Sequence, residues 1–310
     1  MRGAQMAFLP DGRLHLHHGP IDLVIGAEAA GPAGEAARAS ALKAAGRRFA
    51  TILEELVEEL DLLRAPLDGR RPKGAVARRM AEAVAPLGDH FITPMAAVAG
   101  AVADEILAVM TAAGPLARAF VNNGGDIAFH LAPGQSLTAA IHAAVHDGGD
   151  DPGGNVGNAG RVHLPAALPV RGLATSGRGG RSLSLGIADA VTVLAPSAAA
   201  ADAAATLIAN AVDLPGHPAI RRAPACEIDP DSDLGRRMVT VGLGPLARPE
   251  ITQALRRGLR RAEAFRARGL IAAAALFLRG ESLATGDWPK LLAQPEETPA
   301  QTPGETRRTA

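Results

Sequence analysis

The chain has 310 residues, with 32 basic and 32 acidic side chains, 47% hydrophobic residues and aromatics at only 3%. That length suits one large domain or two small ones, and a formal net charge of zero argues against a nucleic-acid protein, which needs a basic excess to displace counterions from phosphates. Tyrosine is absent and tryptophan occurs once, so the core has to be built from Ala, Leu, Val and Ile, which lets helices pack closely. The single cysteine, Cys226, excludes an internal disulfide framework and a cysteine-cluster metal site. Residues 1–20 hold no apolar run of signal-peptide length, and no stretch reaches the roughly 18 apolar residues of a membrane span, so the expectation is a cytoplasmic protein without a membrane partner.

In chain order, Leu14, Leu16, Ile21, Leu23, Val24 and Ile25 flank Gly19-Pro20 and predict a hairpin over residues 13–27. Residues 34–63 change to a helical period. Phe49, Ile52, Leu53, Leu56, Val57 and Leu60 recur at three and four residues, with Glu54, Glu55, Glu58, Glu59 and Asp61 on a solvated face. A Pro/Gly/Arg loop at 66–74 leads to a short helix near 76–84, and Thr93-Pro94 opens a long alanine-rich helix to about residue 113, with proline in the first turn where it costs no hydrogen bond. Phe120-Val121 and residues 127–131 flank Asn122-Asn123-Gly124-Gly125-Asp126, a tight turn between strands. A strand at 136–145 is followed by a loop at 147–160 rich in Gly, Asp and Asn.

An apolar piece at 170–174 precedes Thr175-Ser176-Gly177-Arg178-Gly179-Gly180-Arg181-Ser182. Residues 190–195 read as a strand, and Ser197 as the N-cap of a helix to about residue 212. Another strand is predicted at 238–243, then a helix over 251–278 carrying Arg256, Arg257, Arg260, Arg261, Arg266 and Arg268 above an Ala/Leu face. Residues 286–310 are Pro, Thr, Glu and Gln with little apolar content, a disordered tail that leaves residues 1–285 as one domain. Strands and helices mix without strict βαβ alternation, so the fold class is α+β: layered mixed sheets packed with long Ala-rich helices.

The helix at 197–212 is the most informative segment for chemistry. Asp202, Thr206 and Asn210 recur every four residues as a polar stripe on an otherwise apolar surface. One reading is structural, with Asp near the positive helix end and Thr and Asn bonding locally. The other is functional: a carboxylate and a hydroxyl one turn apart supply hard oxygen ligands to a Mg²⁺ that also keeps waters and substrate phosphate oxygens. The loop at 174–182, with its glycines, serines, Arg178 and Arg181, offers amides and guanidinium forks suited to phosphate, yet fits neither the Walker A nor the dinucleotide glycine pattern. By itself the loop is weak evidence, and a bland surface loop accounts for it better. His142 and His146 would form a metal pair only on a helix, and their segment reads as strand. Residues 147–151 lack the spaced ligands of a calcium loop.

Taken in order, Pro94-Met95-Ala96-Ala97-Val98-Ala99-Gly100 before a helix, then VNNGGDI at 121–127, LATSG at 173–177 and AVTVLAPSAAAADAAAT at 190–206 together resemble the ApbE superfamily, closest to a short branch of unknown function. The resemblance spans roughly residues 20–285 and implies a T-fold-related architecture. It also implies a flavin transferase that moves FMN from FAD to a threonine of an acceptor flavoprotein. By position it implies that Asp202 and Thr206 bind Mg²⁺ with a backbone carbonyl at or near Ala174. Thr175, Ser176 and Gly177 would line the flavin site, beside the turn of Gly124, Gly125 and Asp126. The family's usual His-Ile-x-Asp-Pro segment, whose histidine is the expected base, is replaced at 181–189 by a stretch without histidine, leaving Asp189 as the nearby carboxylate. Ala99 stands where a lysine is usual. Two other readings stay open: a non-catalytic flavin-binding or accessory protein, and an enzyme acting on another phosphate compound through Arg178 and Arg181.

Overall fold

The computed structural model describes residues 3–29, 31, 34–144, 156–180 and 182–292. It opens with β1 (Gln5–Phe8), β2 (Leu14–His18) and β3 (Ile21–Glu28), and the last two form the expected hairpin, with Leu14, Leu16, Leu23 and Ile25 turned into the core. Helix α1 (Gly34–Glu58) is followed by the single turn α2 (Leu60–Leu63), α3 (Ala75–Val84), a 3₁₀ turn over Pro94–Ala97 and α4 (Val98–Ala112). Two acids of the run predicted to be solvated do more than face water. Glu55 takes a two-pronged ion pair from Arg48, and Glu59 accepts the amides of Lys73 and Gly74, each at 2.7 Å, where α3 begins.

Strands β4 (Arg118–Asn123), β5 (Asp126–Leu131), β6 (Ser136–Ala144), β7 (Val156–Pro165), β8 (Gly172–Ser176) and β9 (Ala190–Ala195) lead to α5 (Ala198–Ala211). The loop expected at 147–160 is therefore too long, because β7 already begins at Val156. The chain continues through β10 (Ile220–Pro224), α6 (Ala225–Ile228), β11 (Met238–Leu243), α7 (Arg248–Ala267), β12 (Ala273–Leu278), β13 (Glu281–Thr285) and α8 (Trp288–Leu291).

The helix predicted over 251–278 is corrected: it ends at Ala267, Gly269 turns the chain with φ +72°, and Ala273–Leu278 is a strand between β9 and β13. Its alanines and leucines are almost all buried, so a continuous apolar run replaces the alternation that would have revealed a strand. Trp288 is buried; residues 293–310, most of the expected tail, lie outside the described residues, as do His146 and residues 147–151.

The main sheet has nine strands in the order β1-β2-β3-β4-β5-β8-β9-β12-β13, and every pairing is antiparallel. Alternate residues divide its two faces. Leu23, Ile25, Val121, Ala128, Ala174, Val191, Val193 and Leu276 meet Phe49, Ile52, Ile106, Ile208 and Leu255 of α1, α4, α5 and α7. Phe129, Leu173, Leu194 and Ala275 meet Ala139, Ile141, Val162 and Leu164 of the β6–β7 hairpin, with Trp288. This is the expected α+β architecture: a helical layer on one face and a small second sheet on the other.

Glycines set how closely the layers approach. A Cβ on Gly100 would lie 2.3 Å from the carbonyl oxygen of Ala198, and one on Gly172 would lie 2.1 Å from the Ala198 nitrogen. The start of α5 is thus pressed backbone-to-backbone against α4 and β8. Pro94–Ala112 is long and apolar enough by composition to cross a membrane, but half of it is buried here, between α1 and α5.

Candidate functional site

The site is built around the β4–β5 turn and the end of β8. Gly124 and Gly125 take φ +64° and +114°, the left-handed values a two-residue hairpin turn requires, and the Gly125 amide donates to Asn122 Oδ1 at 2.8 Å. Asn123 points to the helical face and donates to the Ala99 carbonyl at 3.1 Å. Asp126, opposite Asn123 across the turn, accepts the Thr175 amide at 3.2 Å. Thr175 reaches the other way with its side chain, its hydroxyl 2.9 Å from that of Thr192. One residue of β8 therefore joins the two faces of the sheet.

On the hairpin face lies a cleft of about 620 Å³, within the range of small-molecule sites. Gly124, Gly125, Thr175, Ser176, Gly177 and Asp189 line one side, and Phe120, Ile127, Leu137 and Leu173 form an apolar wall. Arg13 closes the far edge. The turn and the Thr-Ser-Gly segment singled out in the sequence thus converge on one concavity.

Behind the sheet, Asp202 of α5 has Oδ2 3.1 Å from the Gly100 amide. Burial first, and then the negative charge of Asp126, push its carboxyl well above the usual range; the amides of Gly100 and Ala99 oppose this, and Asp104 adds to it. Asp104 is also raised by burial, although it accepts the amides of Ala198 and Ala199 at 3.0 and 2.9 Å. With Ser197 Oγ accepting from Ala200, these bonds occupy the N-terminal amides of α5 with the chain's own groups. The acidic cluster of Asp126, Asp202 and Asp104 is an electrostatic one: among the described residues no three such side chains converge closely enough to hold a metal by themselves.

Thr206 sits half-buried one turn after Asp202, and Ala174 is fully buried on the helical face of β8. Asn210, the third member of the stripe, is spent on structure: its Oδ1 accepts the Leu185 amide at 2.9 Å. Asp189 is buried with both oxygens occupied, Oδ1 by Arg178 Nη2 at 3.2 Å and Oδ2 by the Arg279 amide at 2.5 Å. Arg178 is committed to that carboxylate and does not line the cleft. Arg181 lies outside the described residues.

Sequence reasoning missed Arg13, Phe120 and Asp104. Asp104 carried the same signal as Asp202, an acid in an alanine-rich helix. Arg13 and Phe120 carried none, since their role comes from the sheet order that aligns β2, β3 and β4.

A family model described as "AbpE bacteria" matches residues 6–284. The chain belongs to this family. The ApbE-like resemblance of the sequence is thereby borne out across nearly the whole chain. A UPF0280 protein of Methanosphaerula palustris is 40% identical over 141 residues, covering 44% of this chain and 53% of the relative. A UPF0280 protein of Methanocella arvoryzae is 36% identical over 138 residues, again 44% of this chain and 50% of the relative. The chain spans about half the length of these curated relatives. The apo flavinyl transferase ApbE of Pseudomonas stutzeri aligns over 93% of this chain and 96% of its own, at 15% identity and a TM-score of 0.40, too loose for correspondence between residues.

Proposed function

We propose that this protein binds a flavin nucleotide in the cleft beside the β4–β5 turn, with Mg²⁺ at the acidic cluster, and transfers FMN from FAD to a protein threonine or cleaves the FAD pyrophosphate. The observation that carries this reading is the convergence of Gly124, Gly125, Thr175, Ser176 and Gly177 on one cleft, bonded through Thr175 to Asp126. Membership of the AbpE bacteria family supports it.

The donors present are hard oxygens of the kind a divalent cation takes. Burial first, and then the charge of Asp126, raises the proton affinity of Asp202, which a cation would offset. Asp126, Asp202, the Thr206 hydroxyl and the Ala174 carbonyl are the groups that would hold it. Bound there, Mg²⁺ supplies charge neutralisation at the pyrophosphate. The chain's own residues do the rest. The lack of a side chain at Gly124 and Gly125 would admit a ligand close to the backbone, and the Thr175 amide fixes the Asp126 carboxylate.

We assign Asp189 a positioning role, holding Arg178 and the β12–β13 turn and so the Gly177–Gly180 bend, rather than that of a base. That engagement favours a second reading. Among the described residues no histidine and no second carboxylate lines the cleft, which suits a protein that holds the flavin and presents it to an acceptor.

Incubation with FAD and Mg²⁺, followed by chromatography for AMP and mass spectrometry for an FMN adduct on a candidate acceptor, separates the two. AMP release that disappears in Asp202→Ala supports transfer or cleavage, and saturable FAD binding without AMP supports presentation. No FAD binding overturns both.

A further inference from the structure

Gly26 has no conformational reason to be glycine. It lies in the middle of β3 without positive φ, where glycine weakens a strand, and such a glycine marks a close approach by something else. Here that is Phe120, its direct partner across β3–β4. A Cβ on Gly26 would lie 2.3 Å from Cε1, 2.8 Å from Cζ and 3.0 Å from Cδ1 of that ring. The Cδ1–Cε1–Cζ side of the ring therefore fills the space over Gly26 that a Cβ would take. It remains half-buried and lines the cleft beside Ile127 and Leu173, the one aromatic there among the described residues.

At the edge of this shelf stands Arg13, the one cationic side chain lining the cleft among the described residues. Its turn is closed by the Leu9 amide on the Arg13 carbonyl, and Arg38 of α1 fastens it by donating to the Gly12 carbonyl at 2.6 Å. Arg13 itself is held by an exposed pair with Asp11 at 2.7 Å, a weak tether that leaves the guanidinium free to turn to a ligand.

Resting on the flavin reading above, we infer that Phe120, lying on Gly26, is the stacking platform for the isoalloxazine ring, with Arg13 donating to the carbonyl oxygens of its dioxopyrimidine edge. Arginine only donates, so it fits an edge rich in acceptors and not the amino edge of adenine. The sheet order supplies the length. From β4, which carries Phe120, to β8 are two strand spacings, about 10 Å, enough to place a ring on Phe120 and its phosphate near Thr175–Gly177. Ring and phosphate thus occupy opposite sides of one cleft.

Equilibrium dialysis or calorimetry of the full chain with riboflavin, FAD and ADP tests this. In Phe120→Ala, riboflavin and FAD should weaken by the same factor, about 5- to 150-fold, with ADP unchanged. Arg13→Gln should follow the same pattern more weakly. Gly26→Ala should tilt the ring into the cleft and weaken riboflavin, yet add nothing in a Phe120→Ala background, where no ring is left to displace. Unchanged riboflavin binding in Phe120→Ala overturns the inference while the flavin reading stands, and a loss confined to ADP overturns it by placing adenine on the shelf. Failure of the unmodified chain to bind FAD or riboflavin overturns both.

Discussion

Gly172 and Gly26 offer two substitutions that look alike on paper and should behave differently. In Gly172→Ala the new methyl would lie 2.1 Å from both the Ala198 nitrogen and the Ser197 carbonyl carbon, and 2.2 Å from the Ser197 oxygen. An ordinary contact needs about 3.4 Å, so β8 and the start of α5 must separate by roughly 1.3 Å. Every obstacle is backbone, with no rotamer to turn aside. The cost should therefore reach the upper end of overpacking, about 3 kcal/mol, which for a chain of this size is a fall in Tm of about 5 °C. In Gly26→Ala the overlap is nearly as severe, 2.3 Å, but the obstacle is the end of the Phe120 side chain, which can swing into the cleft, so the loss should stay below about 1.5 kcal/mol. Thermal scans and urea titrations of both variants decide it. Gly172→Ala should also weaken Mg²⁺-dependent flavin binding, because α5 carries Asp202. Equal losses in the two variants, or a Gly172→Ala Tm within about 1 °C of the unmodified protein, would refute the argument from backbone contact.

Asp202→Asn should raise Tm near neutral pH in a chelator. The folded carboxyl holds its proton above the ordinary value of 3.8, so stability falls as pH rises from there through the raised pKa, and the amide removes that loss. The two proteins should converge below that range, and a lower Tm for Asn at neutral pH would contradict the sign. Glu105→Gln should cost about 2–3 kcal/mol in urea unfolding, less than a fully buried pair, because it strips a nearly buried carboxylate from Arg48 and from the more open Arg79. Burial alone would raise the Glu105 carboxyl, but its hydrogen bonds from Arg48 and Arg79 prevail and hold it below 4.5, so the stability it contributes is present above that pH and lost as pH falls through its lowered value. Asp189→Asn separates positioning from proton transfer: as a positioning residue it should weaken FAD binding, whereas a base would lose AMP release at unchanged affinity.

Much of the fold was legible because periodicity and punctuation agreed. The Gly19-Pro20 break, Pro94 in the first turn and the Ser197 cap all mark the elements they were expected to mark. The largest failure has a physical cause. Ala273–Leu278 is apolar on both faces, and an alanine-rich run carries neither the period of a strand nor that of a helix. The site was half legible. Asp202 and Thr206 stood out as polar exceptions, but the same stripe included Asn210, whose work is to hold Leu185, and spacing cannot tell a ligand from a loop tether. Arg178 was attractive for phosphate by type, yet the fold places Asp189 against it.

The scarcity of aromatics bears on the site as well as the core. With no tyrosine, and seven phenylalanines in the chain, stacking on a planar ligand depends on where one ring is left half-exposed. Phe49, Phe129 and Phe265 are fully buried among the packed layers. Phe120 differs because Gly26 makes room beneath it and the ring stays half-buried at the cleft. The acidic cluster lies on the opposite face, where alanines bring α4 and α5 close enough for Gly100 to donate to Asp202. Thr175 is the bond between them, its amide on Asp126 and its hydroxyl on Thr192. The turn of Gly124 and Gly125 lines the cleft beside Thr175 without a side chain, so bulk added there should weaken FAD binding in dialysis, and at their positive φ it should also lower Tm.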